Sequence, residues 1–235
     1  MDYSIYLKET AMLDFSHSSI QNLPQWNEWN ALETKDRIGA IHEFVRNDIK
    51  FGYNESDLIP ASQVLRDGYG QCNTKATLLM ALLRKAGIPS RFHAFTIHKE
   101  LQAGAIPAFL YRVAPDEIIH SWVEALVDGQ WLKLEGIILD QPYLDAIQKR
   151  FSGVVGPFKG YAIATENLQN PSAAWRGEDT YIQKEGIAQD LGIFENTDAF
   201  YRQNGGNLSG VKRVAYKYFL RHLINRNIKR LRQGY

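Results

Sequence analysis

Residues 118–139 read IIHSWVEALVDGQWLKLEGIIL, two runs of alternating side chains on either side of Asp128-Gly129. Asp-Gly between such runs is the strongest short-range hairpin signal, because a two-residue turn of this kind needs positive φ at both positions. Counting outward from the turn sets Val127 against Gln130, Leu126 against Trp131, Ala125 against Leu132, Glu124 against Lys133, Val123 against Leu134 and Trp122 against Glu135. An opposite-charge pair and a large apolar pair fall into place, which supports this register. Strand side chains alternate between faces, so Ile119, Val123, Ala125 and Val127 share a core face with Leu132 and Leu134.

The opposite face carries His120, Trp122, Trp131 and Glu135. In this register His120 pairs with Ile137 and Glu135 lies on its diagonal, about 7–8 Å away at the backbone and within side-chain reach. A carboxylate there can orient an imidazole and fix its tautomer. Each residue alone has an ordinary explanation, a packed histidine or a solvated strand carboxylate, but the pair needs both the right face and the right diagonal. Glu124 is the competing carboxylate, and its expected partner is Lys133.

The sole cysteine, Cys72, sits in DGYGQCNTKATLLMALLRKAGIPSR, residues 67–91, after Gly68 and Gly70 and before an apolar helix-forming run. One cysteine excludes an internal disulfide and a cysteine-based zinc site. The run predicts a helix from Cys72 to about Lys85, stopped by Gly87 and Pro89. A thiol at a helix mouth faces unpaired N–H groups and the positive end of the macrodipole, with Lys75 one turn on. Such surroundings bring thiol pKa values from about 8.5 to roughly 3.5–7.5 and make the sulfur a nucleophile. The same N–H groups, that of Cys72 included, suit a developing oxyanion. The alternative is a small buried hydrophobe. With His120 and Glu135 added, a nucleophile, a base and an orienting acid occur in the order Cys, His, Glu.

Three motifs carry a resemblance: GYGQC with its helix, GIPSR, and HSWVEALVDGQW with a carboxylate four residues past the last tryptophan. Together, over roughly residues 40–140, the chain resembles the transglutaminase-like superfamily. The resemblance implies an α+β, papain-like fold, with a cysteine-bearing helix packed on an antiparallel sheet that carries the histidine and the acid. It also implies thiol acyl transfer on amides through a thioester, with Cys72 as nucleophile, His120 as base and Glu135 as acid. The family's third residue is usually aspartate, and here it is glutamate. Tyr53, Gln63 and Tyr69 are candidates for a second oxyanion donor, and Gln71, Asn73 and Trp122 for substrate contact. The expected substrate is a peptide, a protein or a small amide. Some relatives lack catalysis, so a binding or scaffold module that keeps the fold is the other reading.

The rest of the chain reads as one domain over 1–235, with a core at about 34–140 and a mainly helical accessory region at about 141–235. TKDRIGAIHEFVRNDI predicts an amphipathic helix from Thr34, with Thr34 as its cap. PASQVLRD opens a short helix, RFHAFTIH predicts a strand over 91–98, and 99–118 has the length of a lid or substrate-selecting loop. Helices are expected around 142–150, near 179–190 and from about 208 to 232, with a loop region between 150 and 177.

Composition adds charge asymmetry. The net charge is +1, yet residues 211–235 hold eight Lys or Arg and no Asp or Glu, leaving the remainder near −7. Val211, Val214, Tyr218, Leu220, Leu223, Ile224, Ile228 and Leu231 form the apolar stripe of this basic helix. Packing onto the acidic remainder is its expected role, with membrane-surface contact the alternative and nucleic acid not expected. His93 and His98 fall on opposite faces of a strand, and no metal site, cofactor motif or acidic calcium loop is visible. MDYSIYLKET shows no signal peptide and no apolar run spans a bilayer, so a cytoplasmic location is expected.

Overall fold

The computed structural model describes residues 2–208 and 210–235, with Val211 described by its backbone alone. Two short helices, α1 (Ser18–Gln21) and α2 (Trp26–Asn30), lead into α3 (Thr34–Asn47). The cap of α3 is Glu33, in extended conformation and without a side-chain bond, one residue before the expected Thr34. Then follow β1 (Lys50–Phe51), α4 (Ala61–Asp67), β2 (Tyr69–Gly70), the cysteine helix α5 (Cys72–Lys85) and β3 (Ser90–His98). The segment read as a lid-length loop contains α6 (Ala108–Val113), after which come β4 (Glu117–Val127), β5 (Gln130–Leu134) and α7 (Gln141–Arg150). The chain continues through β6 (Phe158–Gly160), β7 (Ile163–Thr165), β8 (Ile187–Phe194), α8 (Thr197–Asn204), α9 (Gly210–Ala215), a π-helical turn at Tyr216–Leu220, and α10 (Arg221–Arg232). The expected C-terminal helix from about 208 to 232 is present as one continuous helical run over 210–232, interrupted only in winding by the π turn, and Ser209, near its expected start, lies outside the described residues.

The fold is α+β: a four-stranded antiparallel sheet, in order β5-β4-β3-β8, with α5 packed against β4 and β3. Every residue of α5 from Asn73 to Arg84 is buried, and the sheet contributes Phe92, Ala94, Val123, Ala125 and Leu134 to the same core. The β4–β5 ladder has the expected register from Val127↔Gln130 to Val123↔Leu134. Its turn has φ of 50° at Asp128 and 81° at Gly129, the left-handed pair a two-residue hairpin requires. The ladder ends at Leu134, so the expected pairs Trp122–Glu135 and His120–Ile137 do not form. Beyond that point the chain turns away, and Thr180 takes the edge position beside Leu134 in a short parallel bridge.

The expected helix near 179–190 is absent. That stretch is a connection followed by β8, which pairs with β3. Two register shifts, one between Ala94 and Phe95 and one between Thr96 and Ile97, leave extra residues in β8. A bulged strand loses its period-2 alternation, so the segment carries no clean strand signal in the sequence.

Phe200 of α8 is fully buried against Phe92 of β3. On α10, Ile224, Ile228 and Leu231 are buried, each contributing about 1.5–3 kcal/mol relative to exposure. Charge follows the same direction, with Arg232 on Asp140 and Lys217 on Glu55. The rest of the apolar stripe divides: Val214, Tyr218 and Leu223 point to solvent. No helix among the described residues is long and apolar enough to cross a membrane.

Candidate active site

Cys72 is the first residue of α5 and is half-buried. The helix mouth is built by its neighbours. Gln71 caps it, its side chain meeting the Thr74 N–H while the Thr74 hydroxyl meets the Gln71 N–H. The other end of Gln71 donates to Asp57 at 2.8 Å, and its carbonyl oxygen accepts from Asn54 N at 3.0 Å. Gly70 permits this packing, since a Cβ there would lie 2.7 Å from Thr74 Oγ1 and 2.9 Å from Lys75 Cγ.

The next residue holds the histidine strand. Asn73 donates to the carbonyl of Ile119 at 3.2 Å and accepts from the Ser121 hydroxyl at 2.9 Å, so it grips both neighbours of His120. These groups are available because β5 stops at Leu134 and leaves the edge of β4 unpaired beyond Val123. The Ile119 N–H is taken by Asn207 Oδ1 at 2.8 Å, and Asn207 Nδ2 donates to Asp57 at 2.9 Å. A chain of bonds, Gln71–Asp57–Asn207–Ile119, therefore crosses from the cysteine side of the cleft to the histidine side.

His120 is fully buried, and its Nε2 lies 2.7 Å from Glu135 Oε1. Glu135 is also fully buried, and its Oε2 accepts from the N–H groups of Ile182, Gln183 and Lys184. The segment that supplies them is fixed by Glu135 N to the Thr180 carbonyl, by Gly136 N to the Thr180 hydroxyl, and by a close approach at Gly136, where any Cβ would collide with the Ala173 carbonyl. The remaining ring nitrogen, Nδ1, is buried without a hydrogen bond of ordinary geometry. Burial alone would push the His120 pKa down. The close approach of Cys72 and the hydrogen bond to Glu135, with their charges, reverse this and raise it to about 9.

The other sequence candidates have separate positions. The Tyr53 phenol is kept protonated by burial first and by the Cys72 charge second, and its backbone exchanges bonds with Asn225 of α10. Gln63 meets Glu55, and the Tyr69 hydroxyl accepts from Arg221 at 3.2 Å. Trp122 is buried among His93, Phe95 and Tyr181, with its N–H on Glu124. Glu124 is not held by Lys133 as expected. Burial opposes its ionisation, but bonds from His93, Arg91 and Trp122 lower its pKa to about 2. Lys75 is not beside the thiol either. Its ammonium is buried on the carbonyls of Arg46 and Ile138, and burial pulls its pKa well down.

Asp57, Asn207 and the 182–184 amides join the site without a sequence signal, because loop bonds follow no period. Tyr201 is a further unforeseen neighbour: its hydroxyl is buried without a partner, and burial, then Asp57 and Cys72, keep it protonated. Among the described residues no group of three or more His, Cys, Asp or Glu is placed to hold a metal ion.

A thiol at the start of a helix, facing an imidazole on an adjacent antiparallel strand that is itself held by a carboxylate, defines a papain-like arrangement. Residues 27–136 match the family model described as the transglutaminase-like superfamily, and this segment, which ends one residue after Glu135, is a domain of that superfamily. No curated protein matches the chain. Among solved structures, a candidate cysteine protease from Cytophaga hutchinsonii is similar at a TM-score of 0.49 and 13% identity, over 85% of this chain and 50% of that one. Red sea bream transglutaminase is similar at a TM-score of 0.34 and 15% identity, over 99% of this chain and 41% of that one. The chain spans half or less of the length of either protein.

Proposed function

We propose that this protein is a cysteine-dependent acyl transferase or hydrolase acting on an amide, with Cys72 as nucleophile, His120 as proton shuttle and Glu135 as the residue that positions His120. The observation that carries the reading is the buried imidazole held at 2.7 Å by a carboxylate and close enough to Cys72 for the thiol to shift its proton affinity. His120 takes the thiol proton, and the sulfur attacks the amide carbonyl. The C–S bond forms as the C–N bond breaks, and the leaving amine departs with the proton from His120. Water or a second amine then attacks the thioester carbonyl, a C–O or C–N bond forms as the C–S bond breaks, and the nucleophile's proton passes through His120 to the departing sulfur. The Cys72 N–H at the helix mouth and the protonated phenol of Tyr53 are suited to receive the oxyanion.

Alkylation by iodoacetamide across roughly pH 5–9 tests the activated nucleophile. The expected result is a rate well above that of a free thiol near neutrality, and a fall to the free-thiol rate in His120→Ala. Equal rates in both proteins would remove the catalytic reading and leave a binding module with this fold. Fluorescent alkylamine incorporation into casein, against hydrolysis without incorporation, separates transglutaminase-like from protease-like use of the thioester.

A further inference from the structure

The C-terminal helical segment has an outward side that neither the core nor the cleft uses. Ile224, Ile228 and Leu231 face inward, and Lys217 and Arg232 are engaged by Glu55 and Asp140. Outside, Val214, Tyr218, Phe219 and Leu223 are 54%, 59%, 70% and 44% exposed. The π-helical turn at Tyr216–Leu220 lies between them, and its wider winding re-phases the helix partway along this side. Lys212 and Arg213 precede this apolar group and Arg226, Lys229 and Arg230 follow it, all exposed and none in an ion pair among the described residues. The whole segment 211–235 contains no carboxylate side chain.

Single exposed apolar residues need no explanation, but four large ones on one helical segment, with unpaired cations at both ends, form a patch of defined chemistry. We propose that this surface docks on an anionic phospholipid membrane, with the segment lying along the interface. Val214, Tyr218, Phe219 and Leu223 enter between the headgroups, while the long cationic side chains stay at phosphate level. A nucleic acid would satisfy the cations and stack on the two aromatic rings, yet it offers nothing equivalent to Val214 and Leu223. The same helix is bonded to Tyr53 and Tyr69, on either side of the β1–β2 pair that leads into Cys72, so docking holds the cleft close to the bilayer. This proposal is independent of whether Cys72 is catalytic.

Vesicle sedimentation with the full chain tests it, comparing phosphatidylcholine alone with phosphatidylcholine containing about 30 mol% phosphatidylserine. Binding is expected to the anionic vesicles only, and to fall when salt rises to about 0.5 M. The Tyr218→Ser/Phe219→Ser double variant and the Arg226→Glu/Lys229→Glu/Arg230→Glu triple variant change exposed positions, so their melting should match the wild type. The triple variant is expected to lose on the order of 100-fold in partitioning, at roughly fivefold or more per cation. Equal binding to neutral and anionic vesicles, wild-type binding by either variant, or binding to a single-stranded RNA oligonucleotide but not to vesicles would each overturn the proposal.

Discussion

Glu135 gives one carboxylate oxygen to His120, at 2.7 Å from Nε2, and the other to three successive backbone N–H groups, those of Ile182, Gln183 and Lys184 at 2.8, 3.0 and 3.1 Å. This double use needs the reach of a glutamate side chain. Glu135 stands past the end of the ladder, and its added methylene spans the distance from an off-sheet backbone to both the ring and the amide nest. Glu135→Asp should therefore surrender one of the two contacts and lower kcat with little change in KM. Glu135→Gln keeps an acceptor for His120 but turns an amide NH2 toward three donors. It should cost about 1–3 kcal/mol of stability by leaving buried groups unsatisfied. Its kcat should fall on the order of 10⁴-fold, as when an orienting carboxylate is made neutral. Equal activity in Glu135→Gln and wild type would show that His120 does not depend on the carboxylate.

The two buried histidines give opposite pH dependences. The folded pKa of His120, about 9, lies above the free value of about 6.5. Its contribution to stability is complete below about pH 6.5 and is lost as pH rises through about 9, up to roughly 3 kcal/mol. His42 is held at about 3, by burial first and then by Arg46 and Lys75. The unfolded chain protonates His42 below about pH 6.5 while the native state does not, so stability declines from there toward pH 3. Melting temperature against pH should lose its alkaline slope in His120→Gln and part of its acid slope in His42→Leu. Unchanged slopes in both variants would contradict these assignments.

Part of the candidate site's geometry was readable because period and turn chemistry fix it. Asp128-Gly129 set the register of β4 and β5, and the cysteine helix ran from Cys72 to Lys85 as its apolar pattern required. The His120–Glu135 contact was reached from a ladder that ends at Leu134, one residue before Glu135. What stayed hidden depends on contacts without period. The amides of 182–184 belong to an irregular connection ahead of a bulged strand, and Asn207 enters from far along the chain. Spacing alone does not place Lys75, whose side chain runs to the buried side of the helix although it stands one turn from Cys72.

Asn207 crosses the mouth of the cleft, bonded to Ile119 N on the histidine side and to Asp57 on the cysteine side. Both bonds belong to a half-exposed or exposed group, so Asn207→Ala should cost no more than about 1 kcal/mol. Its effect should appear as access. Alkylation of Cys72 by a bulky maleimide should accelerate several-fold, while the rate with small iodoacetamide changes little. If both reagents respond equally, Asn207 acts on the reactivity of the thiol and not on its entrance.

A two-pronged ion pair fastens the end of the C-terminal helix to the core, beyond the buried Ile224, Ile228 and Leu231. Arg232 Nε and Nη2 meet the two oxygens of Asp140 at 2.8 and 2.7 Å, and Asp140 also accepts from Phe51 N and Tyr143 N. Burial would raise the Asp140 carboxyl, but Arg232 and the Phe51 N–H hold it below the ordinary range. Its contribution is therefore present above the free carboxylate value and lost as pH falls through the folded one. Arg232→Met leaves a buried carboxylate with no ion-pair partner and only the charges of Lys75 and Arg46 nearby, and should cost about 3 kcal/mol. Asp140→Asn should cost a similar amount, since it strands Arg232 while an asparagine can still cap α7. In the double variant the losses should be less than additive, because the remaining partner is no longer stranded. Amide exchange adds the spatial test: α10 should lose protection before α5 in Arg232→Met, and Tyr53, bonded to Asn225, should loosen with it. Uniform exchange across the chain would mean that the pair supports global stability and does not specifically fasten the helix beside the cleft.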